Sequence, residues 1–124
     1  MAESFRDLVV RQKAMALATD VYCLTERFPR SELYGLTNQL RRAVVAVPSD
    51  IAEGKGRLSK REFIQMLARA RGSLFEVVTQ LEIGKNLQFV GESDFARVSE
   101  QCAAVGRLLN GLIRAIRRSL RAKS

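Results

Sequence analysis

The last eighteen residues of the chain carry six basic side chains and no acidic one. Four arginines recur there at spacings of seven, four and three, which places them along one side of a helix: Arg107, Arg114, Arg118 and Arg121. Arg117 and Lys123 widen this row. Because no carboxylate lies one turn away, the row gains no pairing within its helix and repels itself. We therefore predict that it meets a polyanion; a solvated or subunit-paired face is the alternative.

A second basic cluster is predicted around the turn between the second and third of four helices. Gly54-Lys55-Gly56-Arg57 leads there into a helix start, whose unpaired amides suit a phosphate oxygen. The segment is not a Walker motif, since GxxxxGK[ST] is absent. Together the two blocks supply the candidate nucleic-acid contacts: Arg41, Arg42, Lys55, Arg57, Lys60, Arg61, Arg107, Arg114, Arg117, Arg118 and Arg121.

The net charge of +8 arises from two blocks of the sequence, residues 41–71 and residues 107–124. Residues 41–71 hold eight basic and three acidic side chains, residues 1–40 are balanced, and residues 72–106 are acidic. Contacts made mainly to phosphates would be salt-dependent and weakly sequence-specific. The two Tyr and six Phe fall mostly at predicted core positions, so we do not expect a base-stacking surface.

The chain has no histidine, which excludes Ser-His-Asp and Cys-His sites, imidazole metal ligands and the usual general base near neutral pH. Di-iron bundles are excluded as well, because they need Glu-x-x-His pairs. We predict that Glu53 pairs with Arg57 or a neighbouring arginine, and that Glu76 and Glu82 form interhelical or intersubunit ion pairs. No enzyme activity, cofactor or metal site is expected.

Size and composition indicate one folded domain spanning residues 1–124, with 47% hydrophobic residues. No apolar run approaches the ~20 residues that cross a bilayer, and the first residues lack the order of a secretory signal. We therefore expect a cytoplasmic protein. Cys23 and Cys102 are too few for a disulfide framework and have no metal-binding spacing, so we expect buried free thiols.

Apolar residues recur every three or four positions, and no segment alternates as a half-buried strand would. A first helix is predicted from about Phe5 to Arg27. The second should be capped by Ser31, with Leu33 on its apolar face, and should be kinked or broken at Pro48. The predicted core residues of these helices are Val10, Ala14, Leu17, Val21, Leu24, Phe28, Leu33, Leu36, Leu40, Ala43 and Val47.

The third helix is predicted to begin at the capping box Ser59-Lys60-Arg61-Glu62 and to end near Leu87, and Ser93 can cap the fourth. Short connections favour antiparallel neighbours, so the predicted fold is an all-α, up-down-up-down four-helix bundle. The predicted core residues here are Phe63, Leu67, Ala70, Leu74, Val77, Leu81, Gly84, Phe95, Val98, Cys102, Val105, Leu109, Leu112 and Ile116.

Additional apolar residues exceed what one core stripe per helix needs, and they predict an oligomer interface or, alternatively, a wider core. They are Val44, Val45, Ile64, Ala68, Phe75 and Val78. Gly72, Gly84, Gly106 and Gly111 within helices each cost about 1 kcal/mol relative to Ala. We attribute them to the close approach of a neighbouring helix.

Several segments resemble the four-helix-bundle proteins encoded in intervening sequences of bacterial large-subunit ribosomal RNA genes. The resemblance covers about Phe5 to Val90, and the fourth helix matches only in pattern. Its most specific parts are Gly35-Leu36, Arg41-Arg42-Ala43, Ile51-Ala52-Glu53-Gly54, Arg57 and Gly72-Ser73-Leu74. It implies assembly into rings, often of five. The chain is also similar to accessory proteins of diversity-generating retroelements, basic pentamers that bind nucleic acid and a reverse transcriptase. By fold analogy, both are candidate partners.

The leading hypothesis is a cytosolic homo-oligomer that presents a basic surface to RNA or DNA. The competing hypothesis is a protein-interaction scaffold whose basic patches bind an acidic protein or an adjacent subunit.

Overall fold

Four α-helices make up most of the chain. The computed structural model describes the backbone of residues 2–122 and the side chains of residues 5–122. The helices are α1 (Ala2–Thr25), α2 (Leu36–Lys55), α3 (Lys60–Asn86) and α4 (Glu92–Ala122), and a short 3-10 turn, Arg30–Glu32, precedes α2. Residues 2–122 contain no strand. The predicted all-α fold is confirmed.

Each helix packs against two others, in the cyclic order α1, α2, α3, α4. The carboxylate of Asp7 near the start of α1 pairs with Lys55 at the end of α2, with Oδ2 and Nζ 3.0 Å apart. Likewise, Lys60 at the start of α3 donates a hydrogen bond to Ser119 near the end of α4. These contacts between opposite helix ends, together with the short connections, give the antiparallel up-down-up-down bundle that the sequence predicts.

The apolar stripes predicted from the three- and four-residue spacing form the core. All the predicted core residues except Leu33 and Phe95 are buried, and Phe95 packs against the core while partly exposed. The structure adds Val44, Ile51, Met66, Val90 and Ile113 to the buried apolar set. Burial of one stripe per helix therefore accounts for most of the fold.

The start of α2 differs from the prediction. Ser31 lies in the 3-10 turn, and Leu33 is exposed. The helix begins at Leu36, whose backbone N–H donates to Oε1 of Glu32 at 3.0 Å. A carboxylate four residues upstream thus satisfies an orphan amide of the first turn, which is the task predicted for the Ser31 hydroxyl.

Pro48 lies inside α2, and the helix is continuous from Leu36 to Lys55. Of the two outcomes expected there, a kink or a break, the break does not occur. Proline removes one backbone hydrogen bond, but Val44, Val47 and Ile51 around it are fully buried. Their packing holds the helix together across the missing bond.

The capping residue predicted for α3 is confirmed, because the Ser59 hydroxyl accepts a hydrogen bond from the backbone N–H of Glu62 at 3.1 Å. Both cysteines are free thiols. Cys102 is buried in the core, and burial raises its pKa to about 11. The prediction that Cys23 is also buried is wrong, because this residue lies on the exposed side of α1.

The residues predicted to form an oligomer interface fall into two groups. Val44 is fully buried in the core of the bundle, so its assignment to an interface is wrong. Ile64 and Val78 are partly buried and pack against the same core. Only Val45, Ala68 and Phe75 are exposed. The alternative of a wider core therefore explains half of the additional apolar residues.

Close approach between helices explains some glycines and not others. A Cβ at Gly54 would lie 2.8 Å from Cβ of Met66 and from Cδ1 of Phe63, so α2 and α3 meet at this point. At Gly84 a Cβ would lie 3.2 Å from Cγ2 of Val90. In contrast, no described atom lies within 4 Å of a Cβ at Gly72, and at Gly111 only the Arg114 guanidinium does, at 4.0 Å.

Replacing Gly54 by alanine should lower the free energy of unfolding by about 1–3 kcal/mol, because the added methyl overpacks the α2–α3 contact. The matched change Gly111→Ala should raise it by about 0.5–1 kcal/mol, because the site is open and alanine favours the helix. Urea unfolding followed by circular dichroism measures both. Equal effects of the two changes would contradict the close contact at Gly54.

Candidate nucleic-acid interface

The two basic blocks, far apart in sequence, meet at one end of the bundle. Because α3 and α4 are antiparallel, the start of α3 lies beside the last turns of α4. Arg61, Arg117 and Arg121 line one open cavity of ≈ 200 Å³, together with Leu120. Next to it, Lys60 reaches Ser119. We refer to the surface formed by Lys60, Arg61, Arg117 and Arg121 as the basic end.

The connection between α2 and α3 continues this surface. A second cavity of ≈ 210 Å³ is lined by Gly54, Lys55, Arg57, Leu58, Ser59, Lys60, Phe63 and Ile116. Its cations are partly compensated. Arg57 pairs with Glu53, as predicted, and Lys55 pairs with Asp7, which was not predicted. The Gly54–Arg57 segment thus borders a basic cavity at the start of α3.

The arginine row of α4 faces away from the core. All five of its described members are exposed: Arg107, Arg114, Arg117, Arg118 and Arg121. Arg107 is the exception to the predicted lack of partners, because its Nη2 lies 3.1 Å from Oε1 of Glu100, two turns earlier. Within residues 5–122, no ion pair or hydrogen bond engages Arg114, Arg117 or Arg118. Lys123 lies outside the described residues.

Arg41 and Arg42 do not belong to this cluster, which corrects the prediction that they lie at the α2–α3 turn. Both are in the second turn of α2, fourteen and thirteen residues before Lys55, or about 20 Å away along the helix. Arg41 stacks over the Tyr22 ring, with Cζ 4.6 Å from the ring centroid. Its Nε donates to Oγ1 of Thr25 at 2.9 Å, and its Nη2 donates to the Tyr22 carbonyl at 3.3 Å. Arg41 therefore joins α2 to the end of α1.

At the opposite end of the bundle, Arg27 and Arg97 are paired with carboxylates. Arg97 donates to both oxygens of Asp20, at 2.9 and 3.1 Å, and to Asp94 at 2.5 Å. Arg27 donates to the other oxygen of Asp94 at 2.9 Å. The hydrogen bond from Arg97 lowers the pKa of Asp94, and the bond from Arg27 adds to this effect. The two ends of the bundle therefore differ in whether carboxylates pair with the arginines, not in how many arginines they carry.

Among the other charged residues of α2 and α3, some interact with a neighbouring side chain of the described chain and some do not. Burial raises the pKa of Asp50 on α2, while the nearby charge of Arg69 opposes that rise. Arg71 donates to Oδ1 of Asn110 at 3.0 Å, which links α3 to α4. The predicted ion pairs of Glu76 and Glu82 are not formed within the described chain.

A polar groove between α2 and α3 was not predicted from the sequence. It has a volume of ≈ 470 Å³ and is lined by Tyr34, Asn38, Gln39, Arg42, Ala43, Ala46, Ser73, Glu76 and Gln80. Tyr34 is 91% exposed, and Tyr22, Phe5 and Phe75 are exposed as well, so the expectation that most aromatic residues are in the core is wrong. The sequence contained one indication of this groove: the spacing of Ser73, Glu76 and Gln80 places three polar residues on one face of α3.

The described part of the chain holds no group of three or more cysteine, aspartate or glutamate side chains that could bind a metal ion. Among the same residues, no helix is long and apolar enough to cross a membrane.

A family model described as 23S rRNA-intervening sequence protein matches residues 6–111. The chain belongs to this family. The match extends beyond the segment on which the sequence resemblance rested and includes the first two thirds of α4. It ends at Gly111, so Arg114, Arg117, Arg118 and Arg121 lie beyond it.

A solved structure has the same fold. The chain is similar to a crystal structure from Bacteroides thetaiotaomicron, described as a protein of unknown function from the S23 ribosomal protein family. The two share 19% sequence identity with a TM-score of 0.82, over 88% of this chain and 98% of that one. Among curated protein sequences, none matches this member of the family.

The structural role of Arg41 can be separated from a binding role by comparing two adjacent residues. Arg41→Gln should lower the free energy of unfolding by about 1–2 kcal/mol, because hydrogen bonds from a charged donor and a cation–π contact are lost. Arg42→Gln, with the same change in charge, should leave stability within about 0.5 kcal/mol because this side chain is exposed. Urea unfolding is the measurement, and equal losses in the two variants would contradict the assignment.

Proposed function

We propose that this protein is a non-enzymatic, cytoplasmic homo-oligomer that binds RNA or DNA through phosphate contacts at its basic end. One observation supports this most strongly. Arg61, Arg117 and Arg121 surround a single cavity, and neither Arg61 nor Arg117 has a hydrogen bond or ion pair within residues 5–122. Arg61 and Arg117, two like charges without counter-charges in this part of the chain, favour an anionic ligand.

The arrangement suits a polymer of phosphates better than a single anion. Beyond the cavity, Arg114 and Arg118 continue along the exposed face of α4, and Lys55, Arg57 and Lys60 continue around the α2–α3 connection. Arginine forms two parallel hydrogen bonds with phosphate oxygens, whatever the base sequence. The family description, which names an element of 23S ribosomal RNA, is compatible with a nucleic-acid ligand.

Homo-oligomerisation is the second part of the proposal. Val45, Ala68 and Phe75 remain exposed, and Phe75 is 64% accessible. On α3, Gly72 lies between Ala68 and Phe75 on the same face and has open space around it, so another helix could approach there. The sequence resemblance favours a pentamer. A ring would present several basic ends to one nucleic acid and would strengthen binding by multivalency.

A different class of function, a protein-interaction scaffold, is supported by α1. Leu8, Met15 and Tyr22 recur every seven residues on its exposed side, and each is 42–50% accessible. Such a stripe suits the apolar face of a partner protein, for which the fold analogy suggests a reverse transcriptase. On this alternative, the basic end would contact acidic residues of that partner or of an adjacent subunit.

Salt titrations of binding test the basic end as a phosphate site. The slope of log K against log salt concentration for a duplex DNA should fall by about 0.9 for each of the changes Arg61→Gln and Arg117→Gln, because each removes one phosphate contact. Arg30→Gln is the matched control, since this exposed arginine lies on the 3-10 turn at the opposite end of the bundle. Fluorescence anisotropy measures the binding.

The control variant should keep the slope of the unmodified protein. If both basic-end variants also keep it, the phosphate contacts lie elsewhere. If the unmodified protein binds neither duplex DNA nor single-stranded RNA at low salt, nucleic-acid binding is ruled out, and recovery of one acidic protein after nuclease treatment would favour the scaffold.

A further inference from the structure

We propose that the polar groove between α2 and α3 binds an unpaired guanine base. This inference rests on the proposed nucleic-acid function and adds base recognition to it. Its lining includes residues of two parts of the family resemblance: Arg42 from Arg41-Arg42-Ala43 and Ser73 from Gly72-Ser73-Leu74. The phosphate contacts of the basic end do not involve these residues.

The groove contains polar groups without partners inside the chain. Arg42, which can only donate hydrogen bonds, and Glu76, which in its ionised form can only accept them, both line it. Within residues 5–122, neither side chain forms an ion pair or a hydrogen bond. Oε1 of Gln80 is buried and receives no hydrogen bond. A buried acceptor without a donor is costly, so a ligand that supplies one gains affinity.

The chemistry of these groups selects a ligand with donors and acceptors on separate edges. A phosphate offers only acceptors and would be repelled by Glu76, and a simple cation would be repelled by Arg42. Guanine carries N1–H and N2–H₂ donors, which suit the Glu76 carboxylate, and O6 and N7 acceptors, which suit the Arg42 guanidinium. The amides of Asn38 and Gln39 can complete the contacts with either edge.

Tyr34 supports a nucleobase over a protein segment as the occupant. Its ring lines the groove and is 91% exposed, which makes it a stacking platform for a flat heterocycle. A partner helix could not satisfy the groove with its backbone, since its amides and carbonyls are already paired. The volume of ≈ 470 Å³ lies within the usual range of small-ligand sites.

The groove and the basic end can bind one strand. Arg61 and Glu76 are fifteen residues apart on α3, which is about 22 Å along the helix, and they differ by about 60° around it. Stacked nucleotides rise by about 3.4 Å each, so about seven nucleotides cover this distance. A single strand of ~12 nucleotides is therefore long enough to occupy both surfaces.

The test uses the full chain and single-stranded oligouridine RNAs of ~12 nucleotides that carry one central guanosine, inosine or adenosine. Fluorescence anisotropy at low salt should give about tenfold tighter binding for guanosine than for adenosine. Inosine should bind more weakly than guanosine because it lacks the N2 amine. Glu76→Gln and Arg42→Gln should each reduce the guanosine preference to less than about twofold and keep the binding of unsubstituted oligouridine.

Glu82→Gln is the matched control for Glu76→Gln. It makes the same substitution at an exposed residue of the same helix, and Glu82 does not line the groove. It should retain the preference. Equal binding of the three RNAs by the unmodified protein would overturn the guanine site and leave the phosphate-binding function standing. Absence of any RNA binding at low salt would overturn both. If Glu76→Gln alters the mass in analytical ultracentrifugation and not the base preference, the groove belongs to a subunit contact and the proposal fails.

Discussion

Burial of one apolar stripe on α4 determines where the basic residues of this protein lie. Val98, Cys102, Val105, Leu109, Leu112 and Ile116 are buried against the neighbouring helices. With 3.6 residues per turn, this orientation leaves the arginines between Arg107 and Arg121 on the outer face. The antiparallel order then sets the end of α4 beside the start of α3. The basic end is thus a consequence of how the core packs.

The arginines at the two ends of the bundle differ in whether carboxylates pair with them. Where α1 ends and α4 begins, Arg97 pairs with Asp20 and Asp94, and Arg27 also pairs with Asp94. The charge of the two arginines is thereby balanced, and the Arg97–Asp20 pair joins α4 to α1. Exposed pairs of this kind add little to stability, but they remove the charge from use by a ligand. At the basic end, Arg61 and Arg117 have no such partner within residues 5–122. Two unpaired arginines from separate chain segments thus line one cavity at the basic end.

Helix positions and core residues could be predicted because they follow from local spacing. The stripe from Val10 to Phe28 and the Ser59 cap are both present in the structure. The predicted cap of α2 is wrong. The Glu32 carboxylate, not the Ser31 hydroxyl, accepts the hydrogen bond from the backbone amide of Leu36. Of the two outcomes predicted at Pro48, the break does not occur, since α2 is continuous from Leu36 to Lys55.

The candidate sites depend on contacts between helices, which spacing along one helix does not contain. The sequence does not show that Arg41 lies apart from the basic cluster at the α2–α3 connection. Its partners, Tyr22 and Thr25, are sixteen or more residues away, on α1. The polar groove depends on how α2 and α3 are rotated relative to each other. The meeting of Arg61 and Arg117 follows from antiparallel order, but their common cavity requires the packed bundle.

The most direct test observes the arginine side chains themselves. Nuclear magnetic resonance of the arginine Nε–Hε groups, recorded while RNA is added, reports which guanidinium groups contact the ligand. The account predicts that the resonances of Arg61 and Arg117 shift and that those of Arg27 and Arg97 do not. Shifts confined to Arg27 and Arg97, or no shifts with saturating RNA at low salt, would contradict it.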